Sequence, residues 1–352
     1  MARILAVPIA LVTIAGCAHD SSGGGGPPSM KPTANPSAFF AGRVETYGQY
    51  LTPREINERA VARAVQRIDP CGFVDSTTAE KTIPGVMGYG YGSGLGACTV
   101  FQEPGGERPA SNVTIYLNYT AETAAAHDES EHNDTFNVDG ITVTESAVGA
   151  LCVETFSLGL ASLPGAPKDP EMIAHFDAAF PLVVSSKRAG DPSCGQAKAM
   201  ALAAAKIRAA NLPLRDTHSP IPVPLLAEDP CAVFPELTGF TKAFDVVPDR
   251  CMFTGGGNSP VGLQFSSIEA HYVRHAPTSS IESHEGVLLY TGLEHPGCSP
   301  VYVVTGPPLE PVPIGPHAAG FEDAPLPDIA VRGGNCEQNK QIALVAAKEF
   351  TH

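Results

Sequence analysis

The sequence predicts an α+β protein made of two tandem copies of one domain, each copy a helix, an antiparallel sheet and a second helix stapled by two disulfides. Three observations predict it. Eight of the nine cysteines fall into two sets of four, Cys71, Cys98, Cys152, Cys194 and then Cys231, Cys251, Cys298, Cys336, with spacings of 27, 54 and 42 residues in the first set and 20, 47 and 38 in the second. Their flanks repeat: Asp69-Pro70-Cys71 is echoed by Asp229-Pro230-Cys231, and Ser193-Cys194-Gly195-Gln196 by Asn335-Cys336-Glu337-Gln338. Between the stations lie short apolar runs of strand length, and each set closes on an Ala-rich segment with helical periodicity.

Taken in order, Met1-Ala2-Arg3 and the apolar run Ile4 to Gly16 read as a signal peptide over residues 1–16, the run being too short to span a bilayer. Ile14-Ala15-Gly16-Cys17 resembles the bacterial lipobox, which implies that Cys17 is acylated, palmitate among its chains, and becomes the first mature residue. Two acyl chains hold a protein stably on a membrane where one is marginal. Residues 17–54 then form an acylated cysteine and a disordered tether, with Gly23-Gly24-Gly25-Gly26-Pro27-Pro28 at its centre and too little apolar surface to offset chain entropy. No later segment approaches about twenty consecutive apolar residues.

The first copy spans 55–212. In Asp-Pro-Cys the carboxylate can cap a helix, and proline fits the first helical position, where no N–H is needed. Strands are expected over Val113 to Tyr119, Gly140 to Thr144 and Leu151 to Leu158. After Cys194, the residues Ala197, Met200, Ala201, Ala204 and Ile207 make a narrow apolar helix face for close packing on a sheet. Residues 213–226, with Pro220, Pro222 and Pro224, read as a semi-rigid linker. The second copy, 227–352, has strands over Gly262 to Ile268, Gly286 to Tyr290 and Val301 to Thr305, and Pro307 to Pro316 reads as a polyproline surface loop. Equivalence of the copies leaves more than one cysteine connectivity. The sequential one is expected: Cys71 with Cys98, Cys152 with Cys194, Cys231 with Cys251, Cys298 with Cys336. Each copy, with its own staples, is expected to fold alone.

The early Asp-Pro-Cys, the second cysteine before a strand and the late Cys-x-x-Ala helix resemble a family of actinobacterial envelope lipoproteins grouped as a domain of unknown function. The resemblance covers roughly residues 60–212 and 225–352. The four-cysteine framework is more faintly similar to the extracellular sensor domains of actinobacterial receptor kinases. Departures are Asn339 where the first copy has Ala197, and the lack of any tryptophan. The resemblance implies fold and location and carries no activity.

A net charge of −15 with no basic cluster excludes a phosphate-backbone partner, so no nucleic acid is expected, and it disfavours adsorption on anionic lipid. Gly88-Tyr89-Gly90-Tyr91-Gly92-Ser93-Gly94-Leu95-Gly96 lacks the dinucleotide register and reads as a flexible loop. No Gly-x-Ser-x-Gly, His-Glu-x-x-His or Ser-x-x-Lys signature occurs, so no catalytic residue is assigned. His127 and His132 lie in an acidic run, and His271 and His275 are one helical turn apart. Without a clearly placed third ligand they remain candidates, and neither a metal nor another cofactor is expected. In an oxidising compartment the cysteines are disulfides sooner than zinc ligands. The expected protein is an extracytoplasmic, membrane-anchored, non-enzymatic module that binds a small ligand, a cell-wall component or an envelope protein. The alternative is a metal-assisted envelope hydrolase.

Overall fold

The computed structural model describes residues 39–40, 44–92, 94–103, 113–117, 133–148, 151–173, 181–187, 194–215, 219–255, 258–293, 299–315 and 323–351. Cys17, Cys298 and residues 1–38 lie outside them, whereas the last part of the expected 17–54 tether is packed, with Leu51 buried, the Tyr47 hydroxyl on Asp229 (2.9 Å) and α1 already begun at Pro53. Helix α1 (Pro53–Gln66) opens with Thr52 and Glu55 capping each other reciprocally and Pro53 at its first position. Its buried side carries Arg59, Val61, Ala62, Ala64, Val65 and Gln66.

The first half then builds α2 (Ser76–Thr82) and strands β1 (Val86–Gly92), β2 (Gly94–Gln102), β3 (Val113–Tyr116), β4 (Asn133–Val138), β5 (Ile141–Val148), β6 (Leu151–Ser157) and β7 (Pro181–Lys187), and closes on helix α3 (Gly195–Ala210). The second half gives β8 (Lys242–Val247), β9 (Arg250–Gly255), β10 (Asn258–Ile268), α4 (Ala270–Arg274), β11 (Ile281–His284), β12 (Val287–Thr291), β13 (Val301–Val304), β14 (Val312–Pro313), β15 (Leu326–Arg332) and helix α5 (Cys336–Phe350). All pairing is antiparallel. The fold is α+β.

The two sheets have one strand order. The first runs β1-β2-β3-β7-β6-β5-β4 with β14 added outside β1, and the second runs β8-β9-β10-β15-β13-β12-β11. Registers superpose through the cysteines. Cys98 on β2 faces Ile115 and then Val184, while Cys251 on β9 faces Leu263 and then Val331. Cys71 bonds Cys98, Cys152 bonds Cys194, and Cys231 bonds Cys251. Cys336 at the start of α5 is disulfide-bonded as well. Each terminal helix lies on its own sheet through small residues, Ala197, Ala201, Ala204 and Ala205 on α3 and Ala343, Ala346 and Ala347 on α5.

The Asp-Pro-Cys stations cap as expected but start no α-helix. Asp69 accepts the Cys71 N–H (2.9 Å) and Asp229 that of Cys231 (2.8 Å). Each turn ends within a few residues, the first as a 3-10 turn over Pro70–Phe73, because the disulfide draws the chain into the sheet. Gly72 follows Cys71 where the second half has Ala232, since a Cβ at Gly72 would lie 2.5 Å from Pro213.

Three segments differ from the sequence reading. The Gly-Tyr stretch is no loop but the β1–β2 hairpin, with fully buried Tyr91 on it. Gly90 admits Pro311, which would sit 3.2 Å from a Cβ there. The stretch around Pro311 is likewise no surface loop. It crosses to the first half, where Val312 and Pro313 pair with Tyr89 and Gly88 and the Ile314 amide donates to Met87 O (2.9 Å). Proline is admissible there because β14 is an edge strand and needs no outward N–H. The segment 213–226 is packed at both ends. Pro213 O accepts the Asp69 amide (3.1 Å), the Arg215 amide reaches Arg67 O (2.7 Å), and Ile221, Leu225 and Leu226 are buried.

The seam between halves is therefore dense. Arg59, buried on α1, donates to Glu45 O (2.7 Å) and Ala243 O (3.2 Å), and Gln66 donates to Glu228 O (2.9 Å). Ser267 Oγ donates to Gly92 O (2.6 Å) and accepts the Gly94 amide (2.9 Å), so the second half caps the first half's hairpin. Cys71, Tyr91, Leu95 and Cys98 share one apolar cluster with Cys231, Cys251, Phe253 and Leu263.

Two outcomes follow. Peptide mapping without reduction is expected to recover Cys71–Cys98, Cys152–Cys194 and Cys231–Cys251 as separate cross-linked pairs, each loop stabilising the chain by about 3 kcal/mol or more in the chain-entropy model. Arg215→Ala, which leaves the buried Tyr91 hydroxyl and the Leu95 and Gln66 carbonyls without their donor, is expected to cost about 2–4 kcal/mol in denaturant unfolding.

Candidate binding site

Of the sequence candidates, His127 and His132 lie outside the described residues. His271 sits on α4 against Glu269 (3.1 Å) and over the Tyr272 ring, and His275 caps the same short helix with its amide on His271 O (3.0 Å). Among the described residues, no group of three His, Cys, Asp or Glu side chains could hold a metal ion.

One pocket, of about 170 Å³, lies at the C-terminal end of α3. Phe39, Leu163, Leu212 and Leu214 form its apolar walls, and Arg208, Ala209, Ala210 and Asn211 the end of the helix beside it. Phe39 is the first described residue. It is held there by the edge of the Phe40 ring, 4.7 Å between centroids, and by Arg67 donating to its carbonyl (3.5 Å). Leu212 enters after α3 unwinds at Asn211, whose side chain accepts the Leu212 amide (3.0 Å).

Arg208 is the only charged group of the lining. Its Nε donates to Leu158 O (2.5 Å), which fixes the guanidinium across the end of β6. Burial lowers its pKa from the usual arginine value, although arginine stays protonated at any ordinary pH. It has no carboxylate partner among the described residues. A half-buried cation without a counter-ion beside an apolar wall is suited to a small molecule carrying one acidic group.

A second polar cluster lies further up the same helix. On β6, Cys152, Glu154 and Phe156 alternate onto the face that α3 covers, as the Cys152–Cys194 bond requires. Glu154 is 0% exposed, and neither carboxyl oxygen has a hydrogen-bond partner. Glu145 stands opposite it on β5 and is paired with Lys198 of α3 (3.2 Å), whose ammonium also lies 3.4 Å from the centre of the Phe136 ring. Burial, with Glu145 adding and Lys198 opposing, pushes the Glu154 carboxyl up to about 8. Sequence reading passed over Glu154. Its signal was the period of two from Cys152 to Phe156, which places an acid on the covered face.

No protein-family model, curated protein or solved structure matches the chain. Replacing Leu212 by tryptophan, which fills the space without removing apolar surface, is expected to leave the fold intact and shift its Tm by only a few degrees, measured by calorimetry.

Proposed function

We propose that the chain is a lipid-anchored module of the extracytoplasmic membrane face that captures a small amphipathic acid rather than converting it. Two things support the location: the lipobox-like Ile14-Ala15-Gly16-Cys17 after a short apolar run, and a disulfide framework of the kind that persists in oxidising compartments. The observation that carries the binding reading is the α3-end pocket with Arg208 on its wall.

The pocket is about the size of engineered apolar cavities that take benzene. Its apolar walls would bury a ring or short chain, and Arg208 would meet a carboxylate or phosphate at the rim. The net charge of −15 disfavours anions at long range, so selectivity rests on this one cation and on shape.

Two experiments test the two halves of the proposal. Cys17→Ala is expected to move the exported protein from the membrane to the soluble fraction; retention on the membrane with the leader fully removed would sink the anchoring argument. Benzoate serves as the probe for the pocket, measured by calorimetry on the anchored form. A dissociation constant on the order of millimolar is expected for so small a ligand. Leu212→Trp should abolish binding, and Arg208→Met, which keeps the apolar stem, should weaken it about tenfold. Equal affinity for benzoate and benzyl alcohol would remove Arg208 from the site.

A further inference from the structure

Glu154 has a built-in comparison. Val184 stands beside it on β7 and corresponds in register to Val331 on β15; the residue opposite Val331 is Val301. The second half therefore puts a buried valine where the first half puts a buried acid. By the same register Glu145 corresponds to Thr291, and Phe136 to Glu282. The lysine four residues after the helix cysteine is kept, Lys198 on α3 and Lys340 on α5, but its partners differ. Lys340 pairs with Glu282 (2.6 Å) at the sheet's outer strand, whereas Lys198 pairs with Glu145, next to Glu154. The fold thus does not need a carboxyl at this place, and the first half has rearranged a charged neighbourhood around one.

We propose that Glu154 makes the seating of α3 on the first sheet a proton-dependent joint: with the carboxyl neutral the helix lies closed over it, and loss of that proton loosens α3 while α5 stays seated on the second sheet. The groups facing Glu154 fix the sense. On β5 it meets Glu145, on β7 the uncharged Val184, and on α3 Lys198, which Glu145 already engages. An ionised Glu154 would be a second carboxylate beside the first, buried, with one lysine to share. It can be relieved by drawing water in or by drawing Lys198 away from Glu145 and the Phe136 ring, and both open the contact between α3 and the sheet. The Cys152–Cys194 bond two residues from Glu154 keeps the helix start attached, so the motion belongs to the helix body.

The carboxyl rises from the ordinary 4.5 to about 8 in the folded chain. Below about 4.5 it is protonated folded or unfolded and has no effect on stability. Between the two values the unfolded chain ionises while the folded one holds its proton, so stability falls as pH rises; above about 8 the loss is complete and levels off. The C-terminal end of α3 forms one side of the pocket, so a loosened helix would also disturb the pocket. That last link rests on the binding reading; the joint itself does not.

The experiment is hydrogen exchange by mass spectrometry on the intact chain from about pH 5.5 to 8.5, with rates corrected for base-catalysed intrinsic exchange. Opening of α3 should rise by roughly tenfold or more across this range, a factor of ten corresponding to one pKa unit of coupling, while opening of α5 stays level. Glu154→Gln and Glu154→Val should flatten the α3 profile. A carbon-13 titration of the Glu154 carboxyl in the unaltered chain gives a readout that does not depend on any variant folding, and its midpoint is expected near 8. A midpoint near 4.5, an equal rise in α5, or an unchanged α3 slope in Glu154→Gln would each overturn the proposal. Loss of benzoate binding without these changes would concern the pocket alone.

Discussion

The structure depends on one local device used twice: an aspartate that turns the chain into a cysteine, which is at once bonded to the second strand of the sheet. Asp69 and Asp229 both spend one oxygen on the amide two residues on, and both are reached by a tyrosine hydroxyl, Tyr91 in the first half and Tyr47 in the second. An arginine completes each group, Arg215 on Tyr91 and Arg63 on Asp229 (3.2 Å). These arginines and tyrosines come from unrelated places in the chain, so the arrangement is the same although the sequence that supplies it is not. A carboxylate taken out of water, fully at Asp69 and in part at Asp229, must be hydrogen-bonded or paired, and this requirement draws α1, the 213–226 segment and the β1–β2 hairpin onto the two turns.

Around this device the two halves differ where side chains meet different neighbours. Gly72 yields to Pro213, which a Cβ there would meet at 2.5 Å, and Asn339 takes the place of Ala197 because its amide closes the Gly333-Gly334 turn, accepting the Gly334 N–H (3.1 Å) and donating to its carbonyl (3.3 Å). The repeat is thus strict in strand order and loose in side chains. Strand order is set by sheet pairing and the staples, whereas side chains answer to local neighbours.

Much of this was legible. Cysteine spacing disclosed the stations that the two sheets hold in common, and alternation or apolar runs disclosed β3, β5, β6, β10, β12 and β13. The alanine face of α3 was legible at Ala197, Met200, Ala201 and Ala204, all buried. What escaped notice depended on partners distant in sequence. The Gly-Tyr strand hides its period because every second residue is a glycine with no side chain to score. The strand at Val312 has proline on both sides and is a strand only because β1 offers an edge. Glu154 lies in a run whose other face is equally mixed, and only the disulfide beside it tells which side is covered.

The two residues of β14 lie along the outer edge of β1, and that edge is where a sheet of this order would otherwise accept another strand. A lone first half would present β1 to any extended chain it met, including the same segment of a neighbouring molecule. In the joined protein the covering strand is delivered from within, on a segment whose Leu309 amide donates to Pro325 O (2.8 Å), next to β15. The second half thus ends, at this edge, the sheet that the first leaves open, and molecules crowded together are kept from exchanging strands through it.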